Sequence, residues 1–179
     1  YTLTVTDAAG CTDTTSIVVT QPATAVTSTI TGTNLLCNND GTGTATVTAT
    51  DGTVGSGYTY LWDDANAQTT ATATGLQAGT YYVTVTDGNG CTTTNSITLT
   101  EPVVLSGITG ATPASCFGTT DGTVIITPNG GTTPYTYQWS APSNAADSLV
   151  IGLGAGMHYV TITDANMCTY VDSAEIIQP

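Results

Sequence analysis

Apolar and polar residues alternate with a period of two along "YYVTVTD" (81–87). Tyr81, Val83 and Val85 fall on one side of an extended chain, and Tyr82, Thr84 and Thr86 on the other. "YTLTVTD" (1–7) and "HYVTITD" (158–164) carry the same alternation. So do "YTYLW" (58–62) and "YTYQW" (135–139), which place Tyr58, Tyr60 and Trp62, or Tyr135, Tyr137 and Trp139, on a common face. Runs of this kind, bounded by Gly, Pro, Asn or Asp, predict about six or seven short strands in every stretch of about 80 residues, the signature of a sandwich. The expected fold is all-β, built from tandem immunoglobulin-like β-sandwich repeats.

The chain repeats itself. "YTLTVTDAAGC" (1–11), "YYVTVTDGNGC" (81–91) and "HYVTITDANMC" (158–168) are copies of one segment, and each runs on to a closing Gln-Pro or Glu-Pro at 21–22, 101–102 and 178–179. "GLQAG" (75–79) recurs as "GLGAG" (152–156), and "CNNDGTGTATV" (37–47) recurs loosely as "CFGTTDGTVII" (116–126). Repetition at this period marks an array of equivalent units. The expected division is residues 1–22 as the last hairpin of a preceding repeat, then complete repeats at 23–102 and 103–179. Lettered as in immunoglobulin-like domains, strand A is expected to end at Cys37 or Cys116. An Asp-Gly-Thr turn leads to strand B, and strand C carries Tyr-Thr-Tyr-x-Trp. Less regular strands D and E follow, then F and G up to the closing Pro. Two strands alone cannot bury a face, so the 1–22 hairpin needs a preceding repeat or a neighbouring copy to complete it. Trp62 and Trp139 are expected as the central plugs of small cores, because aromatic rings bury the most area per residue. A carbohydrate-stacking platform is the alternative use of such a stripe.

Composition narrows the class of partner. Only 7% of the 179 residues are charged, with 13 acidic residues, no Lys or Arg, and a net charge of −13. Phosphate binding needs cations, so nucleic acid is excluded as a partner, and so is attachment to anionic membranes. No stretch is apolar enough to insert into a membrane. Alternation and a mean hydropathy of +0.13 argue against a disordered acidic tail. A chain without Lys or Arg has no lysine isopeptide crosslinks, no salt bridges between side chains and no trypsin sites, which suits a protease-rich exterior. It begins within the repeat pattern and carries no signal peptide, so it is expected to be a piece of a longer protein.

Little chemistry is written into the residues. The one histidine, His158, stands in the slot of Tyr1 and Tyr81, which makes it a substitute for an inward aromatic rather than a general base. CxxC, HExxH and a second histidine are all missing, so no zinc site or enzyme is expected. Asp40 and Asp121 sit in the A–B turns, and Asp87 and Asp164, like Asp7, end strand F. These are the Ca²⁺ candidates, with Asp63 and Asp64 a weaker pair. Ca²⁺ takes six to eight oxygens, usually several of them carboxylates, and no local run supplies them. The favoured reading is that each carboxylate caps its own turn. No cofactor is expected.

The order "C…DG…GG…PYTYxW…GLxAGxYxVTVTDxxGC…xxP" resembles the SprB-type repeat of gliding-motility adhesins of Bacteroidota, most closely in "GGTTPYTYQWS" (130–140) and in the strand F–turn–Cys phrases. It departs at Gly57, where the last copy has Pro134, in the shorter Cys37–Asp40 spacing, and at Met167, where the other copies have Gly. A more distant resemblance is to PKD-like domains. The SprB resemblance implies type IX secretion, an extracellular cell-surface location, and a role in adhesion or as a filament shaft. It also points to O-glycosylation at Asp-(Ser/Thr)-small or apolar triplets, with Thr14, Ser148 and Ser173 as acceptors. The leading function is thus structural: the stalk of a secreted adhesin, forming a semi-rigid rod whose partners are neighbouring repeats or copies of the same protein. The alternative is a module that binds surface polysaccharide. Such a module would carry exposed aromatics in the freely varying stretches 63–74 and 140–150, and neither holds one.

Five cysteines remain, and an oxidising exterior favours disulfides. Each repeat has one cysteine after strand A (Cys37, Cys116) and one after the F–G turn (Cys11, Cys91, Cys168). Pairing within repeats, Cys37 with Cys91 and Cys116 with Cys168, requires the two positions to lie close. Immunoglobulin-like topology sets them at opposite poles, a strand length of about 30 Å apart, whereas a disulfide needs Cα atoms within about 7 Å. Head-to-tail stacking brings the A–B pole of one repeat to the F–G pole of the next. The favoured bridge is therefore Cys37 with Cys168, leaving Cys11, Cys91 and Cys116 to pair outside the segment; pairing within repeats and free thiols stay open as the alternatives.

Overall fold

Threonine alternates with apolar residues in several runs, as in residues 44–50 and 83–86, and β-branched side chains suit a pleated, half-wet strand. The computed structural model describes residues 1–21, 24–55, 57–140, 143 and 145–179. Among them are fourteen strands and no helix. β1 (Thr2–Thr6) and β2 (Thr12–Ser16) form a separate hairpin. The next six are β3 (Thr27–Thr33), β4 (Gly43–Thr50), β5 (Thr59–Trp62), β6 (Thr72–Leu76), β7 (Gly79–Thr86) and β8 (Thr92–Leu99). The last six repeat them: β9 (Ser106–Thr112), β10 (Gly122–Asn129), β11 (Thr136–Trp139), β12 (Leu149–Leu153), β13 (Gly156–Thr163) and β14 (Thr169–Ile176).

Each set of six makes two antiparallel three-stranded sheets. They run β3-β4-β6 and β5-β7-β8 in the first sandwich, β9-β10-β12 and β11-β13-β14 in the second. In letters these are ABE and CFG; no described residue forms a strand D. The proposed boundary between residues 22 and 23 falls outside the described residues.

Period-two alternation decides what is buried. Val83 and Val85 are fully buried, as are Val160 and Ile162 at the equivalent places on β13. Trp62 and Trp139 lie at the centre of the two cores, 1% and 2% exposed. Each indole also satisfies its one donor: Nε1 of Trp62 donates to the Thr70 carbonyl (2.9 Å), and that of Trp139 to the Asp147 carbonyl (2.8 Å). A buried ring offers no face to a sugar, so the stacking-platform reading of these tryptophans is incorrect.

Strand A is shorter than its sequence pattern predicts. It ends at Thr33 and Thr112, four residues before Cys37 and Cys116. At that point the chain crosses to the other sheet: the Leu35 N–H donates to the Thr100 carbonyl and the Ala114 N–H to the Ile177 carbonyl, each at 3.0 Å. Leu35 and Ala114 are buried there. Asn34 in the first copy and Pro113 in the second stand at the change of partner, and the Asn34 side-chain oxygen itself accepts the Thr100 N–H (2.9 Å), which ends the strand.

The hairpin β1–β2 has the same register as the F–G pair of a complete repeat, from Thr2 opposite Ser16 to Thr6 opposite Thr12. Its inward positions are nonetheless open. Leu3 and Val5 are 60% and 58% exposed, where their counterparts Val83 and Val85 are fully buried.

Candidate functional site

The F–G turns are built around one carboxylate. Asp164 Oδ1 accepts the N–H groups of Asn166 and Cys168 (both 2.9 Å), and Oδ2 accepts that of Thr132 (2.8 Å). Asp87 does the same with Asn89, Cys91 and Thr53, all at 2.9 Å. One Asp thus shapes its own turn and ties it to the B–C loop. Reaching that loop requires glycine at 52 and 131. Their φ values are +66° and +61°, and a Cβ at either would stand 2.7 or 2.8 Å from the Asp Oδ2. The Thr53 N–H holds the Asp87 pKa below its ordinary value; partial desolvation opposes it, and the Cys91 and Asn89 N–H groups add to the lowering. In the first hairpin Asp7 keeps the turn bonds, to Ala9 and Cys11 (both 2.9 Å).

The A–B loops, 34–42 and 113–121, lie at the other pole. Asp40 accepts the Cys37 N–H (2.7 Å) and both the N–H and hydroxyl of Thr42. Desolvation raises the Asp40 pKa, but the Thr42 and Cys37 donors outweigh it and the net shift is downward. Asp121 accepts the Ser115 N–H (3.0 Å) and the Thr119 hydroxyl (2.8 Å). Ser115, through hydroxyl and N–H, and then Thr119 lower its pKa to about 2. The closing motif has a use here as well. Glu101 Oε2 accepts the Asn39 N–H (2.6 Å), and Gln178 Oε1 accepts the Gly118 N–H (3.0 Å). In both complete repeats the residue before the terminal Pro therefore holds the A–B loop in place.

Loop and turn meet where the sandwiches join. Cys37 and Cys168 form a disulfide with Cα atoms 5.7 Å apart, and the two stand 131 positions apart in sequence. Beside it, Asn166 Nδ2 donates to the Leu36 carbonyl (2.8 Å) and to Thr132 Oγ1 (3.1 Å). Val104, Leu105 and Met167 border the hollow at this joint, together with Asn38. A bond between Cys37 and Cys168 leaves neither sulfur for the within-repeat alternatives, Cys37 with Cys91 or Cys116 with Cys168. The physical reason is the polarity just described: within one sandwich the A–B loop is tied to the end of strand G, and the F–G turn to the opposite B–C loop. Cys11, Cys91 and Cys116 are free and exposed.

Elsewhere the carboxylates named as Ca²⁺ candidates, Asp40, Asp87, Asp121 and Asp164, all accept backbone N–H groups, as turn caps do. Asp64 accepts from Asn66 and twice from Gln68, and Asp63 from the Tyr82 N–H. Partial desolvation raises the Asp64 pKa, and the Gln68 and Asn66 donors lower it further than that. Among the described residues no three His, Cys, Asp or Glu side chains converge as metal ligands would. His158 is buried, and its Nε2 lies 3.0 Å from the Gly154 carbonyl. A carbonyl only accepts, so Nε2 carries the proton. In the preceding repeat the Tyr81 hydroxyl donates to the Gln77 carbonyl, the equivalent atom, at 3.0 Å. Of the glycosylation candidates Thr14 is exposed, while Ser148 and Ser173 are half-buried.

Residue-by-residue reading missed Asn166 and the Glu101/Gln178 pair. The recurrence of Asp-x-Asn-x-Cys at 87–91 and 164–168 carried the first signal, and the closing Gln/Glu-Pro the second.

The SprB repeat family model matches residues 29–67 and 108–144. No curated protein matches the chain. Among solved structures it is similar to three N-terminal domains of the bacteriophage RB49 highly immunogenic outer capsid protein (21% identity, TM-score 0.48, covering 86% of this chain and 59% of that one). It is also similar to the four N-terminal Ig domains of Dscam1 isoform 6.44 (14% identity, TM-score 0.38, 96% of this chain and 52% of that one). A third is the C-terminal 282-residue fragment of intimin, solved with the intimin-binding domain of its translocated receptor (13% identity, TM-score 0.43, 86% and 64%). The chain spans between half and two thirds of the length of these structures.

Proposed function

Because this chain carries two SprB repeats in tandem, we propose that it is a length of stalk from a large secreted cell-surface adhesin, a semi-rigid extracellular rod without chemistry of its own. The joint carries this reading. A single polypeptide link would leave two sandwiches free to swing, whereas here the link through Val103 and Val104 is doubled by the Cys37–Cys168 bridge. Two separate attachments resist bending about the joint. They also change what a pulling force can do. The residues between the two cysteines are closed in a covalent loop, so tension applied at the ends of the chain cannot draw them out. That loop spans 131 positions, which at about 3.4 Å each hides about 450 Å of contour.

The test is single-molecule pulling on the chain from its two ends, first oxidised and then with a reductant. Oxidised molecules should reach full extension about 450 Å shorter than reduced ones. Equal extension in both states would remove the load-bearing argument. A polysaccharide-binding role has less support: the tryptophans are buried, and His158 and the Asp caps are engaged within the fold.

A further inference from the structure

The occupied joint has two unoccupied counterparts in the same chain. At the F–G turn of the first sandwich, Ala25, Val26, Asp87, Cys91 and Thr92 border an open hollow. Four of these stand where Val104, Leu105, Cys168 and Thr169 border the hollow that receives the Cys37 loop. The polar fittings match as well. Asn89 Nδ2 donates to Thr53 Oγ1 (3.0 Å), as Asn166 does to Thr132. Asn166 spends its remaining N–H on the Leu36 carbonyl of the incoming loop, and Asn89 has no such loop beside it. At the far end, the A–B loop of the second sandwich is braced as the first one is, by Asp121 and Gln178. It displays Cys116 beside Phe117, the only phenylalanine of the chain and 82% exposed.

We infer that Cys91 is the socket for the A–B loop cysteine of the SprB-type repeat ending in the 1–22 hairpin, and that Cys116 is the plug for the F–G turn of a following repeat. The uncovered face of that hairpin is independent support, since Leu3 and Val5 need a partner sheet, and the sheet that covers them brings its A–B loop to Cys91. Each bond forms by thiol–disulfide exchange: two thiols are oxidised, and a disulfide-bearing oxidant, such as glutathione disulfide or an oxidised thiol oxidoreductase, is reduced to two thiols that carry the protons. This deepens the rod reading and rests on it. Once every joint is bridged, the shortest covalent path enters at Cys91, runs 25 residues to Cys116 and crosses to the next repeat but one. That path is about 85 Å when taut, against about 530 Å for the 157 positions of two repeats. The array then cannot be lengthened by unfolding its repeats.

The experiment uses the full chain with residues 25–80 repeated ahead of Tyr1, so that the 1–22 hairpin closes a complete repeat. The protein is equilibrated in a glutathione redox buffer, alkylated, and digested with pepsin without reduction. The expected map links Cys91 and Cys168 each to a peptide carrying the Cys37 loop sequence, with Cys11 and Cys116 alkylated. Cys11 linked to that loop, or Cys116 linked to Cys168, would mean pairing within repeats and would overturn the inference. Alkylated Cys91 beside an intact Cys37–Cys168 bond would overturn the socket and leave the rod reading standing. In the same chain Asn89→Ala should lower the equilibrium constant for the Cys91 disulfide about fivefold, the worth of one hydrogen bond, without changing the Cys37–Cys168 bond. No change on Asn89→Ala would show that the hollow does not receive a loop as the occupied one does.

Discussion

Replacing Asp164 by Ala should unfold much of what the second sandwich holds at its joint. The carboxylate is 3% exposed, and it accepts three backbone N–H groups, from Asn166, Cys168 and Thr132, at 2.8–2.9 Å. A hydrogen bond to a charged group contributes about 1.5–3 kcal/mol, and a buried donor left without a partner costs about 1–3 kcal/mol. The three do not add fully, because water can reach a turn once the side chain is gone. A loss of about 3–5 kcal/mol is expected, roughly half the stability of a domain of this size. At a urea slope of about 1 kcal/mol/M, the unfolding midpoint should fall by about 3–5 M. Urea titration under reducing conditions keeps the disulfide out of the measurement, and hydrogen exchange read by peptide separates the two sandwiches. Asp87→Ala should do the same to the first sandwich. Asp7→Ala is the internal control, because the exposed Asp7 makes only the two turn bonds and should cost under about 1 kcal/mol. An Asp164→Ala loss below about 1 kcal/mol, or an Asp7→Ala loss equal to it, would refute the argument that the third bond and burial make this carboxylate structural.

Acid should weaken both sandwiches. The folded-state pKa of Asp121 is about 2, against an ordinary 3.8, and those of Asp40, Asp64 and Asp87 are lowered as well. A depressed folded-state pKa stabilises in full above the unfolded value and ceases to do so as the pH falls through the folded one. Urea midpoints should therefore hold above about pH 4 and drop toward about pH 2, with Asp121→Asn flattening the slope for the second sandwich. Met167→Gly should raise stability by about 1 kcal/mol, because Met167 holds φ 67° where Gly10 and Gly90 hold 86° and 85°. Its side chain is 77% exposed, so little packing is lost; an unchanged or lower urea midpoint would contradict this. In native material we expect O-linked sugar at the exposed Thr14 ahead of the half-buried Ser148 and Ser173. Mass spectrometry after non-tryptic digestion checks it, and unmodified peptides over all three sites would count against it.

Strands, faces and buried tryptophans were legible because period-two alternation is a local property of the chain. His158 was legible through repetition: aligned with Tyr81, it inherits both an inward position and a bond to the same backbone carbonyl. Local pattern marks the break in strand A but not its new partner. After Thr33 the hydrogen bonds pass to the end of strand G; Asn34 and, in the second copy, Pro113 announce the end of the strand, and nothing nearby in sequence names the strand that receives the crossing. The bond from Asn39 to Glu101 spans 62 positions and that from Asn166 to Leu36 spans 130. No window of sequence contains both ends of such a contact. Only comparison of the copies marks those residues, by showing that they recur.

The absence of Lys and Arg gives the joint its chemistry. Neighbouring sandwiches of a chain with net charge −13 repel one another, and no side-chain cation is present to bridge them. Ion pairs, the usual rim of a domain interface, are unavailable. The acidic groups that the fold does hold are spent on backbone N–H groups inside each repeat, where Asp40, Asp87, Asp121 and Asp164 are neutralised by dipoles rather than by charges. Cohesion between repeats then has to come from apolar contact and uncharged hydrogen bonds, or from a covalent bond. Apolar contact at the joint is small, with Met167 and Val104 still largely exposed, and one amide donor reaches the neighbouring loop. A disulfide is insensitive to the repulsion that weakens everything else there, and it persists in oxidising surroundings. The Cys37–Cys168 bridge is thus the part of the joint that no ion pair between side chains of this composition could replace.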